Sequence, residues 1–249
     1  MIIGMESKAH FDKIADNYEN LRPVFTPVMN NLAKVLEIKE NDVVVDFGCG
    51  PGHDIKYLVD NYKITPIAVD KSKEMCRVAS SKIGVSNVIN GYDLSCLRNV
   101  VFDKIYFKFV MHHIIHPLQF VDDLVNSLKK GDSFAIVTML PSHLESYKIL
   151  KYFPFLIPIF KTKAQEQKEV FEHLRQNRQV RFNFFDCDIN EEVFDNSLLN
   201  KLENNYSSFF SILPDDEKKQ GMEKIKNQLN PKYNHKYITK GVIGYGRKQ

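Results

Sequence analysis

The chain has 249 residues, close to one large domain at roughly 150 residues per domain and long enough to bury a substantial core. Hydrophobic residues make up 43% and charged residues 26%, which places it with globular proteins rather than disordered or fibrous ones. Lys and Arg number 34 against 31 Asp and Glu, and a net charge of +3 argues against a general nucleic-acid binder with its basic stripe.

In chain order, residues 7–37 read as a helix in two pieces. Phe11, Ile14, Ala15 and Tyr18 recur at helical spacing, Arg22-Pro23 interrupts, and Val28, Leu32, Val35 and Leu36 resume. The β-branched run Val43-Val44-Val45 predicts a buried strand that ends at Asp46 and a glycine cluster. Ile55, Leu58 and Val59 suit the buried face of the helix that follows. Strands are then expected at Thr65–Asp70, Asn87–Asn90, Ile105–Phe107 and Phe134–Val137, with helices over Lys73–Lys82 and Pro117–Leu128. Strands alternating with helices at this spacing imply a parallel sheet covered on both faces, an α/β, doubly wound fold.

After Pro141 the rhythm breaks. An apolar, aromatic stretch leads into a polar helix over Gln165–Asn177, a sixth strand over Val180–Phe185, and a helix over Asp215–Leu229. Three acidic residues open that last helix, where the helix dipole favours them. The glycine-punctuated run Tyr237–Tyr245 predicts the final strand.

Cys49, Cys76, Cys96 and Cys187 are scattered, without a C-x-x-C pair or zinc-type Cys/His spacing. The expectation is a reducing, cytoplasmic setting, no disulfide framework and no metal. Met1–Lys8 has no signal-peptide character. The longest apolar run, Tyr152–Phe160, is half a membrane span and holds Pro154 and Pro158, so no membrane partner is expected.

The sharpest motif is Asp46-Phe47-Gly48-Cys49-Gly50-Pro51-Gly52, directly after the first strand. Its glycines let the backbone turn sharply and approach a ligand. The third glycine comes one residue earlier than in the dinucleotide fingerprint, and an acidic residue precedes the first. A carboxylate there repels pyrophosphate and attracts an ammonium group. That favours a nucleoside bearing an amino acid over a nicotinamide dinucleotide. Asp70, about twenty residues on at the end of the second strand, is placed either to accept both ribose hydroxyls or to cap a helix.

With these residues in place, the chain resembles the class I S-adenosylmethionine-dependent methyltransferases of small molecules. Val44–Gly52 is similar to their first motif, Val69–Met75 to the second and Tyr92-Asp93-Leu94 to the third. Phe102–Ile105 and Val110–Ile114 resemble the fourth. The resemblance covers residues 10–140. It implies one domain over residues 1–249, with a Rossmann-like, mostly parallel seven-stranded sheet and an antiparallel carboxyl-terminal strand. It also implies S-adenosylmethionine as methyl donor, with S-adenosylhomocysteine as product. Asp46, Gly48, Cys49, Gly50 and Gly52 would hold the methionine end, Asp70 with Lys71 the ribose, and Met75, Asp93 and Leu94 the adenine. Tyr18 and Arg22-Pro23 resemble an element that closes over the methionine end, although Tyr18 equally suits a helix core face.

The reactive corner belongs past the carboxyl ends of the first and fourth strands, where strand order reverses. Lys108 and Phe109, candidates for the cofactor side, lie there with His112 and His113. Lys108 breaks an apolar run and requires a partner: water, the cofactor's carboxylate or an acidic substrate. His112 is either a proton acceptor with a near-neutral pKa or, with His113, a loop-capping pair. Residues 142–180 are expected to form a substrate cap, with Tyr147, Tyr152, Phe153, Phe155, Ile157 and Phe160 as an apolar wall, as packing against the sheet or as a dimer contact. Tyr18, His112, His113, Tyr147 and Phe153 are the substrate-side candidates.

The expected activity is methyl transfer to an O or N atom of a small organic metabolite. The alternatives are a catalytically silent nucleoside-binding subunit, or a methyltransferase of RNA or protein. Lys108-Phe109-Val110-Met111 stands where an Asn-Pro-Pro-Tyr element would mark the latter, and no basic-aromatic stripe is present, so no nucleic-acid partner is expected.

Overall fold

The computed structural model describes residues 10–204, 206–229 and 235–249. Seven strands form one sheet: β1 (Val43–Phe47), β2 (Thr65–Asp70), β3 (Val88–Asn90), β4 (Lys104–Lys108), β5 (Ser133–Thr138), β6 (Val180–Phe194) and β7 (His235–Lys248). The longer helices are α1 (Thr26–Val35), α2 (His53–Tyr62), α3 (Lys73–Ile83), α4 (Pro117–Ser127), α5 (Leu156–Gln176), α6 (Asn196–Glu203) and α7 (Asp215–Gln228). Short helical turns, among them Tyr18–Leu21 and Ser208–Ser211, fill the connections.

Strand order is β3-β2-β1-β4-β5-β7-β6. The first five strands run parallel, and β7 lies antiparallel between β5 and β6. The mostly parallel, seven-stranded α/β sheet is therefore as the sequence indicates. Alternation along each strand sorts side chains to two faces. Phe134 and Ile136 join Phe47, Phe107, α4 and the end of α5 on one side. Ala135 and Val137 join Val44, Tyr106, α1 and α2 on the other. Both faces are covered, as a parallel sheet requires.

The region after β5 differs from the expected 142–180 insertion. A third apolar cluster joins Ile149–Leu156 to Phe194, α6, Tyr206–Leu213 and α7. This cluster, called the cap below, is thus drawn from two chain segments, one before β6 and one between β6 and β7. The expected polar helix begins earlier, at Leu156, and its later turns (Val170, Phe171, Leu174) pack on the sheet rather than in the cap. β6 and β7 run well past the edge of β5 as a two-stranded ribbon that reaches into the cap.

Candidate active site

Strand order reverses between β1 and β4, and the carboxyl ends of both strands open onto a cavity of about 1290 Å³. The loop after β1 forms its floor. Gly48 and Cys49 donate their N–H groups to the Val69 carbonyl at 2.7 and 3.0 Å, which folds the loop back over β2. Gly48 has φ +83°, and a Cβ there would stand 2.2 Å from Val110 Cγ2, so only glycine fits. Above Gly50 the nearest atom to such a Cβ is Tyr18 Cε1 at 3.9 Å, which leaves the backbone open to a ligand.

Asp70 ends β2 beside this loop. Its Oδ2 accepts from Gly50 N at 2.9 Å and its Oδ1 from Ser72 N at 2.8 Å. Burial nevertheless pushes its pKa upward. Ser72, not Asp70, caps α3, accepting from Met75 N at 3.1 Å. The Ser72 hydroxyl also donates to Asp12 at 2.5 Å, and Arg77 pairs with Asp16, so two contacts tie the amino-terminal helical segment to α3. Asp93 accepts from Ser95 N at 2.9 Å and lines the cavity with Asn90, Gly91 and Tyr92.

At the opposite end of the floor lie two carboxylates and one ammonium. Lys108 pairs with Asp54 at 2.6 Å, both largely buried. Asp54, in the first turn of α2, is thus the partner that Lys108 requires. Asp46 is 2% exposed, and its Oδ2 receives no well-aligned hydrogen bond among the described residues, with the buried Tyr106 hydroxyl as its polar neighbour. Burial pushes its pKa well up, and the neighbouring Asp54 charge adds to the rise. An ammonium group supplied by a ligand would satisfy the Oδ2 atom and the excess acid together. The glycine floor, Asp46 at one end, and Asp70 with Asp93 at the other fit S-adenosylmethionine.

The far wall comes from the turn after β4 and from the cap. Phe109 adopts φ +57°, a costly conformation for a non-glycine residue, and its N–H reaches Val137 O at 3.0 Å. The guanidinium carbon of Arg22 sits 5.5 Å from the Phe109 ring centre and 5.8 Å from that of Tyr206. His112 stacks on Phe209 at 5.1 Å, and His113 meets Phe11 edge-on at 5.8 Å. Burial, with Arg22, Lys163 and Lys71 nearby, lowers the His112 pKa to about 3. His112 is therefore neutral at physiological pH, and a much weaker base than its ordinary value suggests. Tyr147 and Tyr206 share a hydrogen bond between hydroxyls at 3.1 Å, and burial raises the Tyr147 pKa to about 12.

The cavity wall brings together Tyr18, Arg22, Gly48, Cys49, Gly50, Asp70, Lys71, Met75, Asp93, Lys108, Phe109, His112, His113 and Tyr147. Asp46 lies beneath that wall, Gly52 starts α2, and Leu94 packs against the sheet's apolar cluster. Phe153 is not a wall residue. It is fully buried and packs edge-on against Phe210 at 5.2 Å, inside the cap's own core. Its aromatic neighbours in sequence suggest a ligand wall, but its ring faces inward to hold the cap together. The sequence reading also missed His53, Asp54, Lys163, Gln167, Glu192, Lys201, Tyr206 and Phe209, all at the cavity. Asp54 carried a signal, standing two residues past the glycine loop at the start of α2. The aromatics of 206–210 form no period and gave none.

A doubly wound sheet with an acidic glycine loop and a second-strand carboxylate defines a nucleoside-binding α/β protein of the Rossmann-like class. Residues 45–136 match the family described as a methyltransferase domain. Over those residues the chain is similar to methyltransferase domains, and its fold is that of class I methyltransferase structures. It is 25% identical over 134 residues to the trans-aconitate 2-methyltransferase of Rhizobium rhizogenes, which covers 52% of each protein. The chain thus matches about half the length of such curated relatives. Among solved structures it is similar to a protein of Anabaena variabilis named for a methyltransferase of an antibiotic biosynthesis pathway. There the TM-score is 0.70 at 18% identity, covering 92% of this chain and 100% of that one. The plantazolicin methyltransferase, solved with a pentazolic desmethyl analogue and S-adenosylhomocysteine, gives a TM-score of 0.56 at 13% identity. That likeness covers 99% of this chain and 97% of that one. Both likenesses concern the fold. Among the described residues, no helix is long and apolar enough to cross a membrane.

Proposed function

We propose that this protein is an enzyme that transfers a methyl group from S-adenosylmethionine to an O or N atom of a small organic metabolite, in a cytoplasmic setting. One observation carries the reading. A single cavity of about 1290 Å³ runs from Asp70 and Asp93, past the glycine floor, to Tyr147, Phe160 and Phe209 of the cap. Small-molecule sites usually measure roughly 300–1,000 Å³, so this cavity has room for a nucleoside and a second ligand. The trans-aconitate methyltransferase is named for a small metabolite, which accords with this reading. The plantazolicin enzyme is named for another acceptor, so the family name alone does not choose between them.

When bound, S-adenosylmethionine supplies an electrophilic methyl carbon on a sulfonium that needs no acid to leave. The protein's task is to orient the acceptor and exclude water. Asp46 and Asp54 hold the ammonium end, and Asp70 and Asp93 hold the ribose and adenine. Tyr18 and the cap close above them, and residues 142–180 contribute part of that cap. His112, neutral beside Phe209, accepts a hydrogen bond from the acceptor's O–H or N–H and aims its lone pair. With a pKa of about 3 it positions the acceptor rather than removing a proton outright.

The direct test is incubation with methyl-labelled donor and fractionated small metabolites, followed by mass analysis. Label in a small-molecule fraction, lost in Asp70→Ala, supports the reading. Label confined to RNA or protein would move the activity to a macromolecule, and binding of S-adenosylhomocysteine without any labelled product would make the chain a silent subunit.

A further inference from the structure

Four residues of α5, Phe160, Lys163, Ala164 and Gln167, stand on the cavity wall at spacings that put them on one helix face. Lys163 is paired with Glu166 at 2.8 Å, and Phe160 rests against Phe209 with ring centres 4.2 Å apart. Gln167 is different. Its side chain is 1% exposed, and neither Nε2 nor Oε1 has a hydrogen-bond partner among the described residues. Beyond it, Val170, Phe171 and Leu174 are apolar and pack on the sheet. Methionine or leucine would therefore fill position 167 at no polar cost, whereas a buried carboxamide gives up its hydrogen bonds to water at both ends. The turn Met111–His113 packs against α5, and His113 brings a second buried cavity atom, Nδ1, without a partner among the described residues.

We infer that Gln167 is a specificity-determining residue for the methyl acceptor, which presents to it a neutral amide-like edge, a carbonyl beside an N–H. This rests on the proposed function and narrows its substrate class. A carboxamide carries a donor and an acceptor side by side, so one ligand group satisfies both only if it offers the matching pair. A carboxylate meets Nε2 but sets an oxygen against Oε1. A ketone leaves Oε1 unmatched, and an ammonium leaves Nε2 unmatched. The edge that remains is that of a primary amide or a lactam. The surroundings suit a neutral ligand, since Lys163 already has its carboxylate and burial keeps His113 uncharged. The body that carries the amide has an aromatic surface to lie on, where Phe209 stacks with His112 at 5.1 Å and meets Phe160. Gln167 shares α5 with Phe160, whereas the groups proposed for the cofactor follow β1, β2 and β3, which assigns the amide to the acceptor.

The test is calorimetry on the full chain saturated with S-adenosylhomocysteine, with benzamide, acetophenone and benzoate as probes of similar shape. Benzamide should bind roughly fivefold or more tighter than either of the others. Gln167→Met keeps the length of the side chain and loses both hydrogen-bonding ends. It should bring the three probes within twofold, leave S-adenosylhomocysteine affinity within threefold, and melt at or above the wild-type temperature without ligand. A wild type without a benzamide preference refutes the amide edge, and a variant that keeps the preference refutes the role of Gln167. A tenfold loss of S-adenosylhomocysteine affinity in the variant would give the amide to the nucleoside. A variant melting about 5 °C or more below wild type would show that the fold itself bonds the amide, and both results overturn the inference. Should Gln167→Met fail to fold, Gln167→Leu takes its place under the same thresholds, and failure of both counts against the inference for the same reason. A wild type that does not bind S-adenosylhomocysteine at all would instead sink the proposed function, which keeps the two failures apart.

Discussion

Asp46 pits stability against binding within one side chain. Its carboxyl is buried, has an oxygen without a well-aligned hydrogen bond and lies near Asp54, and its folded pKa is raised well above the unfolded value. Between those two values the folded state holds a proton that the unfolded chain has lost, so stability falls as pH rises through the folded pKa. Asp46→Asn removes that penalty. The ligand-free variant should melt higher than wild type at pH 8, by about 1–3 kcal/mol of stability, with the difference closing toward pH 4. Its affinity for S-adenosylhomocysteine should fall at least tenfold. Equal melting at pH 8, read by scanning fluorimetry, would mean the carboxylate is satisfied in the fold. His112 has the opposite sign. Its folded pKa of about 3 lies below the ordinary 6.5, so its contribution is intact above pH 6.5 and lost as pH falls toward 3. His112→Phe keeps the stacking on Phe209 and should lose about 1–2 kcal/mol less than wild type between pH 7 and pH 5 in urea melts. An identical acid slope would show that the imidazole is hydrated in the folded protein.

At the scale of elements, α7 shows how a helix can be built for contact rather than for propensity. Gly221 sits in its middle, where alanine would favour the helix by about 1 kcal/mol. A Cβ at that position would lie 2.3 Å from Phe153 Cε1 and 2.7 Å from the Tyr152 carbonyl. Overpacking of this kind costs about 1–3 kcal/mol, and the backbone oxygen cannot yield, so packing wins. Gly221→Ala should lower stability in urea and speed proteolysis between residues 196 and 229, while S-adenosylhomocysteine affinity stays near wild type. A stabilised variant would show that α7 is not docked on Phe153. The same contact shows why the cap was hard to read from sequence. β1, β4 and β5 are buried on both faces and read as apolar runs, and α4 as an apolar stripe. The glycine loop and Asp70 sit at fixed offsets from such runs, so the residues proposed to hold the cofactor could be picked out as well. β6 beyond Phe185 reads Asp-Cys-Asp-Ile-Asn-Glu-Glu, a polar stretch that is strand only because β7 pairs with it outside the sheet. Tyr206 and Phe209 reach the cavity through contacts made by that ribbon and by α6, and no local period encodes them. Phe153 misled for the converse reason, since an aromatic that seals a cap and one that faces a ligand look alike in sequence.

At the scale of the whole molecule, the two halves of the cavity rest on different foundations. The cofactor half stands on the sheet, with both faces packed and its loop pinned to Val69 O. The half proposed for the acceptor stands on the third cluster and on the amino-terminal segment, joined to α3 by Asp12 and Asp16. A nucleoside on the floor therefore stabilises the molecule through the sheet, and reaches the amino-terminal segment through Asp70, Ser72 and Asp12. Ligand at 100 times its Kd adds about 2.7 kcal/mol. For a chain of 249 residues each kcal/mol shifts Tm by roughly 2–4 °C, so S-adenosylhomocysteine should raise Tm by roughly 5–10 °C. Amide exchange should show where that stabilisation falls. Protection is expected over residues 10–22, 46–53, 70–75 and 90–95, with little change over 196–229. Protection of the cap by S-adenosylhomocysteine alone would show that the halves close as one body. Protection of the cap only when an acceptor is added would show that cap closure waits for the molecule to be methylated.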